Sequence, residues 1–542
     1  MMHSSCTRME IKRVSVIFVF LMVLTTVQCE LLMPKYSTKT SYDLSFNKSN
    51  ILKRELSWQQ LATEFSPELQ TCNPIGLYVV YRHGSRYPSE KDIKKFNLFL
   101  ERARNESINP EFEYLRNDTD LEIPVNLHHK LSESGKLEMN HIAKRMKKRF
   151  ADLFQDQLLT NYAFQSSKLS RTIDSTISFI QGFVDDETNC SSALTEDELL
   201  VTCQKSSSSM RETVVVPLHN KTSDYLLRFF DAYEDCLKEQ KDSDEDDELE
   251  STRTDQLRED AKFVEGKEVA GMQHRLSQKL SVPGAREKFN ISREEAIDIA
   301  KMCGFQLALF NHSGWCNLLS DEDLRLFEYK QDLKHYWKRG YGHKVNYLVG
   351  CNLVRDIASY FGQLTTGLAD TPKGVFKFAH AETIVPLECL MGLYKDKRPL
   401  TATSYQDNHS RLFRTSWMTP FAANIAFVLF NCSSEADDAN GLTKYKLQVF
   451  MNEIPVDLPF CRSGPCDLIE FSTHIRKVSG ECNFNNTCCF ENCGGARCMP
   501  FQFNEWTIFC ISVAAVAFVA WMLILMIELR YSGAKYIVIK NH

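Results

Sequence analysis

Ile75-Gly-Leu-Tyr-Val-Val-Tyr81 runs without a break into Arg82-His83-Gly84-Ser85-Arg86-Tyr87-Pro88. The first seven residues are short, apolar and rich in β-formers, which predicts a buried strand. The strand ends in a polar cluster. Arg82 and Arg86 flank His83, and Gly84 gives the backbone freedom just after it. A guanidinium is a planar fork of donors that fits phosphate oxygens. A neutral imidazole is a competent nucleophile. The end of a buried strand is a poor place for an ordinary surface basic cluster, so the stretch predicts attack on phosphorus by His83.

A second strand is predicted far along the chain, at Gly374-Val-Phe-Lys-Phe-Ala379, ending in His380-Ala381-Glu382. His380 could donate to a phosphate oxygen. Glu382 could protonate a departing alkoxide and then act as a base toward water. On an extended segment these alternate residues would face one side. Between the strands, Ser167–Phe183, Glu294–Leu307 and Gln331–Trp337 read as helices, the first with Ile173, Ile177 and Ile180 at helical spacing. Arg171 opens that helix, with Ser170 or Ser167 as its cap, and a helix N-terminus favours anions. Strands alternating with helices predict an α/β domain with a parallel or mixed sheet. Ligands then bind beyond the carboxyl ends of the strands, where both polar clusters fall.

The chain termini point to the secretory pathway. Arg8, Lys12 and Arg13 precede the apolar run Val14–Val27, which predicts a signal peptide over 1–29. Trp506–Ile527 carries no charge and is long enough to span a bilayer as a single C-terminal transmembrane helix. Glu528, Arg530, Lys535 and Lys540 follow, which favours a cytosolic tail over 528–542. The region between would be lumenal or extracellular. Asn-x-Ser/Thr sequons there begin at Asn47, Asn105, Asn117, Asn189, Asn220, Asn290, Asn311, Asn408, Asn431 and Asn485, as in a glycoprotein. Of 19 cysteines, sixteen lie in that region, an even number suited to disulfides. Seven crowd the stretch from Cys461 to Cys498 and predict a disulfide-stapled stalk over 461–505. The acidic stretch Asp242–Glu250 predicts a solvated, mobile insertion, and it would repel phosphate. A net charge of −6 gives no global basic field for nucleic acid.

Taken together, Arg-His-Gly-x-Arg-x-Pro early and His-Ala-Glu late resemble the histidine acid phosphatase superfamily. Glu382, where acid phosphatases of that superfamily usually carry Asp, is similar to its multiple inositol polyphosphate phosphatase branch. Leu226-Leu-Arg-Phe-Phe-Asp231, Tyr336-Trp-Lys-Arg-Gly-Tyr-Gly342, Met391–Thr401 and Ser167-x3-Arg171-x3-Ser175-x3-Phe179 also resemble that branch. The resemblance spans about Cys72 to Glu453. It implies a histidine phosphatase fold over 30–460, an α/β core with an inserted, mostly helical domain over roughly 90–330. It also implies roles: His83 attacks phosphorus and forms a phosphohistidine. Arg82, Arg86, Arg171 and His380 hold the phosphate oxygens, and Glu382 serves the leaving group. No metal or other cofactor is implied. Animal members look like soluble lumenal proteins with a C-terminal retrieval signal, whereas this chain ends Val538-Ile-Lys-Asn-His542 after its apolar run.

A polyphosphorylated substrate needs positive charge beyond that site. Lys91, Lys94 and Lys95 fall at i, i+3 and i+4, which on a helix is one face. They are candidates for the neighbouring phosphates. The same constellation would also serve a broad-specificity membrane-anchored acid phosphatase, or a side activity on 2,3-bisphosphoglycerate. A receptor ectodomain on a dead scaffold is the rival from another class, and the retained catalytic positions speak against it.

Overall fold

The structure, a computed structural model, describes residues 36–481 except 46–47, 155–157, 185–186, 207–210, 220–223, 232–246, 433–444 and 463. The expected signal peptide, transmembrane helix and tail lie outside the described residues, as do Asn47, Asn220 and Asn485. No helix among the described residues is long and apolar enough to cross a membrane.

The predicted strand at 75–81 is the middle of β1 (Asn73–Arg82). The second is β6 (Gly374–Ala379), buried throughout. With β2 (Tyr162–Ser167), β3 (Thr188–Leu194), β4 (Glu198–Lys205), β5 (Arg211–His219), β7 (Asn424–Asn431), β8 (Tyr445–Met451), β9 (Ile454–Val456) and β10 (Cys466–Asp467) they build one ten-stranded mixed sheet. Its order is β10-β8-β7-β1-β6-β2-β5-β4-β3, with β9 on β8. β1 and β2 flank β6 in parallel, and β7 lies antiparallel to β1.

Side chains alternate across this sheet, so each central strand feeds two cores. Leu77, Val79 and Tyr81 join Phe376 and Phe378 on one face, under helix α2 (Glu133–Arg149) and helix α3 (Ser170–Phe183). Tyr78 and Val80 join Val375 and Ala379 on the other, under α8 (Cys351–Thr366) and α10 (Leu468–Glu481). A strand with both faces covered needs apolar residues throughout, which is why β1 reads as a continuous run.

A third core belongs to the helical layer. It is lined by α1 (Glu90–Asn105), α5 (Lys267–Leu280), α6 (Arg293–Phe310), α7 (Asp321–Arg339) and residues around Leu400–Phe421. The inserted domain expected over 90–330 is therefore not one block. Residues 162–219 within it return to the sheet as β2–β5, and 400–421 join the helices from outside it.

Two other boundaries shift. The acidic stretch expected to be a mobile insertion is helical from Asp247, where α4 (Asp247–Val264) begins; its first five residues lie outside the described residues. The start of the expected stalk belongs to the fold. Cys466 pairs with β8, and Leu468, Phe471 and Ile475 are buried against the sheet. Disulfides join Cys72–Cys432, Cys190–Cys203, Cys303–Cys316 and Cys461–Cys466, and Cys351 is also disulfide-bonded. Among the described residues, Cys389 is a free thiol, buried in the core. Asn105, Asn117, Asn189, Asn290 and Asn311 are exposed. Asn408 is half-buried and spends its amide on Ser404, with Nδ2 2.9 Å from the carbonyl and 2.8 Å from Oγ.

Candidate active site

Because β1 and β6 are parallel neighbours, their carboxyl ends open at one edge of the sheet. Arg82 stands opposite Ala379, and the His83 amide donates to the Ala379 carbonyl at 3.1 Å. Two motifs almost 300 residues apart in sequence thus become adjacent. The rings of His83 and His380 lie 5.7 Å apart.

His83 is buried, and its Nδ1 is 2.9 Å from the Gly84 carbonyl. A carbonyl can only accept, so Nδ1 carries the proton and Nε2 keeps its lone pair for attack. Burial is the main reason its pKa falls well below the ordinary value, with Arg171, Arg82 and Arg86 adding to it. The imidazole is neutral and ready as a nucleophile.

Three arginines surround it. Arg82 donates from Nη1 to the carbonyls of Thr38 and Thr419, both at 2.8 Å, and packs 4.4 Å from the Phe421 ring. Arg86 donates to the Tyr87 carbonyl at 2.7 Å. Arg171 approaches His380 Nδ1 at 3.5 Å. Burial first, and then the neighbouring Arg86, push Arg82 and Arg171 each down to about 9. The Nε–H of Arg82, Arg86 and Arg171 is buried without a partner in every case. Buried donors are normally satisfied. Three orphaned cationic donors around one imidazole mark a place for an anion with several acceptor oxygens.

His380 is fixed by Ser167, whose Oγ is 2.8 Å from Nε2 and also bonds Thr172. This corrects the capping expectation. Ser167 closes β2, and α3 starts from Leu169 with no side-chain cap. The extended reading of His-Ala-Glu is corrected as well. His380 is the N-cap of α9 (Ala381–Leu390), and Glu382 lies in its first turn. Glu382 is solvent-exposed even though protein surrounds it, as happens on the wall of an open cleft. That crowding would raise its pKa, but Arg339, His380, its own backbone N–H and His335 prevail and hold it well below the usual range. The free site therefore holds an ionised Glu382.

The loop carrying His83 is clamped by residues with no motif signal. Buried Glu138 accepts from the Ser85 amide at 2.7 Å, from Ser85 Oγ at 2.9 Å and from the Tyr42 amide at 3.0 Å. Gly84 donates its amide to Ser175 Oγ at 3.1 Å. A Cβ on Gly84 would fall 2.3 Å from the Gly135 carbonyl oxygen. That neighbour is backbone and cannot swing aside. Gly84→Ala is expected to cost about 1–3 kcal/mol and to displace His83, read as a lower melting temperature together with a large loss of kcat. An unchanged melt and rate would show that the two glycines can part cheaply.

The charge of two of the three lysines is already paired. They do share α1, but Lys94 pairs with Glu90 at 2.7 Å and Lys95 with Asp298 at 2.9 Å, and Lys91 is exposed. Helix α1 also turns Asp92 toward the cluster, where it acts on Arg86. Sequence reasoning also missed the interior role of Arg228. It pairs with Asp231 through Nε and Nη2, while Nη1 is buried without a partner, and its charge acts on His380 and Arg171.

Comparison with known proteins agrees with this geometry. The family described as "Histidine phosphatase superfamily (branch 2)" matches residues 75–452. Multiple inositol polyphosphate phosphatase 1 of Homo sapiens is 27% identical over 477 residues, 84% of this chain and 89% of that protein. The protein of the same name from Gallus gallus is 28% identical, covering 77% and 84%. Among solved structures, a Bifidobacterium longum multiple inositol polyphosphate phosphatase in complex with inositol hexasulfate superposes with a TM-score of 0.58. It is 18% identical, covering 82% of this chain and 97% of that one, a likeness of fold.

Proposed function

The chain belongs to branch 2 of the histidine phosphatase superfamily, and on that premise we propose that it hydrolyses inositol polyphosphates through a phosphohistidine on His83. The observation that carries this is the trio of orphaned guanidinium Nε–H donors around a neutral imidazole. Its relatives named multiple inositol polyphosphate phosphatase, matched along most of both chains, supply the substrate class.

In this reading the scissile phosphate sits among Arg82, Arg86, Arg171 and His380. His83 Nε2 attacks phosphorus in line, forming a P–N bond as the P–O bond to the ring breaks. Negative charge gathers on the equatorial oxygens, which the preorganised arginines stabilise. Glu382 gives its proton to the leaving oxygen. Water then attacks the phosphohistidine, Glu382 takes a proton from it, and inorganic phosphate leaves with His83 neutral again. Glu382 is ionised in the free site, so it must gain its proton as the complex forms. The incoming phosphates favour this, because their charge offsets that of Arg339.

Purified protein should release phosphate from inositol hexakisphosphate with a higher kcat/KM than from p-nitrophenyl phosphate. Turnover of the second substrate alone would favour a broad-specificity acid phosphatase. Since the arginines supply the positive charge, a chelator should leave the rate unchanged; a loss restored by one divalent ion would overturn the mechanism. The expected signal peptide, the apolar run 506–527 and the sequons support placing the enzyme on a single-pass anchor with its catalytic domain lumenal or extracellular. An antibody to the catalytic domain should then reach it either on intact cells or only after an internal membrane is opened. Free access in the cytosol would refute this placement.

A further inference from the structure

The segment ahead of the family match contributes to the site. Thr38 offers its carbonyl to Arg82 at 2.8 Å, Thr40 takes the Phe421 amide at 2.9 Å, and Ser37 bonds Thr415 at 2.6 Å. Phe421 in turn lies 4.4 Å from the Arg82 guanidinium and 6.1 Å from the His83 ring. Residues 37–40 are thus stitched to the catalytic loop, and Lys39 sits between two of the stitches.

Lys39 is half-buried, and its ammonium bonds the neighbouring Thr38 hydroxyl at 2.7 Å and stands 5.8 Å from the Phe305 ring. No carboxylate lies within ion-pairing distance of it among the described residues. This is the opposite of Lys94 and Lys95, whose charges are spent on Glu90 and Asp298. Burial weakens the hold of Lys39 on its proton, and Arg86 and Arg82 weaken it further. From the helical layer, α7 contributes half-buried His335, held neutral first by burial and then by Lys334, with Lys39 and Arg339 adding to it. His335 and Arg339 in turn act on Glu382. Beyond the catalytic trio, which already suffices for one phosphate, Lys39 thus adds positive charge and His335 a neutral N–H donor. Asp92 acts on Lys39 only from beyond ion-pairing distance, and a half-buried cation beside other cations without a salt-bridge partner is costly, a cost that a second anion would offset.

We propose that Lys39, together with His335, forms a subsite for a second phosphate of the substrate, beside the one that holds the scissile group. This rests on the polyphosphate reading above. A lysine is a flexible point charge, so the subsite would accept successive products whose second phosphate stands at different ring positions.

The test compares kcat/KM for inositol hexakisphosphate with that for p-nitrophenyl phosphate in the wild type, Lys39→Gln, Lys39→Arg and His335→Gln. The ratio should fall about tenfold or more in Lys39→Gln, as for loss of one charge-assisted contact. It should fall less in His335→Gln and be largely restored in Lys39→Arg. An unchanged ratio in Lys39→Gln would overturn the proposal. A wild type that cleaves only p-nitrophenyl phosphate would instead refute the polyphosphate reading. Should Lys39→Gln not fold, amine labelling of the unaltered protein decides. Inositol hexasulfate should protect Lys39 where inorganic phosphate does not, read by peptide mass spectrometry. Equal labelling under both anions would likewise overturn the subsite.

Discussion

A His83→Ala protein is expected to fold normally and to lose about four orders of magnitude or more in kcat, the scale seen when a covalent nucleophile is removed. The side chain makes one hydrogen bond, to the adjacent Gly84 carbonyl, so little of the fold depends on it. The loop around it is held by Glu138 and Ser175, which the substitution leaves in place. Rapid quenching of the wild type with a labelled substrate should trap an acid-labile, base-stable phosphoramidate, and the variant should trap none. Circular dichroism and a thermal melt would confirm that it is folded. A folded variant with near-normal rates would mean that another group attacks phosphorus. The pH profile offers an independent check. Burial and the arginines hold the His83 pKa well below 6.5, so the nucleophile stays neutral through the mildly acidic range. Any loss of activity on acidification to about pH 5 should therefore disappear once substrate protonation is allowed for.

The parts of this site that were legible in the sequence are those whose chemistry and local pattern coincide. β1 and β6 announce themselves because both faces are buried, and each ends directly in the residues it positions. What the chain cannot advertise is contact made across the fold. Arg82 is aimed by the carbonyls of Thr38 and Thr419, 44 and 337 positions away, and backbone oxygens leave no trace in residue identity. Glu138, mid-helix, reads as an ordinary surface acid until its partner Ser85 is known. The lysine face on α1 shows the same limit. The helical spacing was right, but the pairing of Lys95 with Asp298, which arrives from a different helix, could not be read from it. His380 and Glu382 were placed correctly in sequence and wrongly in conformation. A strand of six residues followed at once by a helix offers no turn residues to mark the change. The helical domain was drawn as one block because periodicity shows each helix without showing which core it joins.

Glu382→Gln should divide substrates by their leaving groups. An inositol alkoxide is a poor leaving group and needs a proton as the P–O bond breaks, so its turnover should fall by about 10²–10⁴-fold, the usual worth of general acid catalysis. p-Nitrophenolate leaves unaided, so the first step with that substrate should slow little. Burst kinetics would then show whether hydrolysis of the phosphohistidine, where Glu382 acts as base, has become the slower step. The sign of the pH effect follows from the charges around the carboxylate. Burial among the cleft walls raises its pKa, but Arg339, His380 and His335 outweigh that and keep it ionised in the free protein. A bound polyanion offsets the charge of Arg339 and raises the Glu382 pKa in the complex. The alkaline limb of kcat, which reports the loss of this proton in the complex, should therefore lie at higher pH than the limb of kcat/KM, which reports the free enzyme. Both limbs should vanish in the Gln variant, because an amide does not titrate. Arg339→Gln should push the Glu382 pKa higher still, shifting the kcat/KM limb upward while leaving a carboxylate to titrate. An equal loss of rate with inositol hexakisphosphate and p-nitrophenyl phosphate in Glu382→Gln would show that the residue holds phosphate or the fold instead of moving the proton.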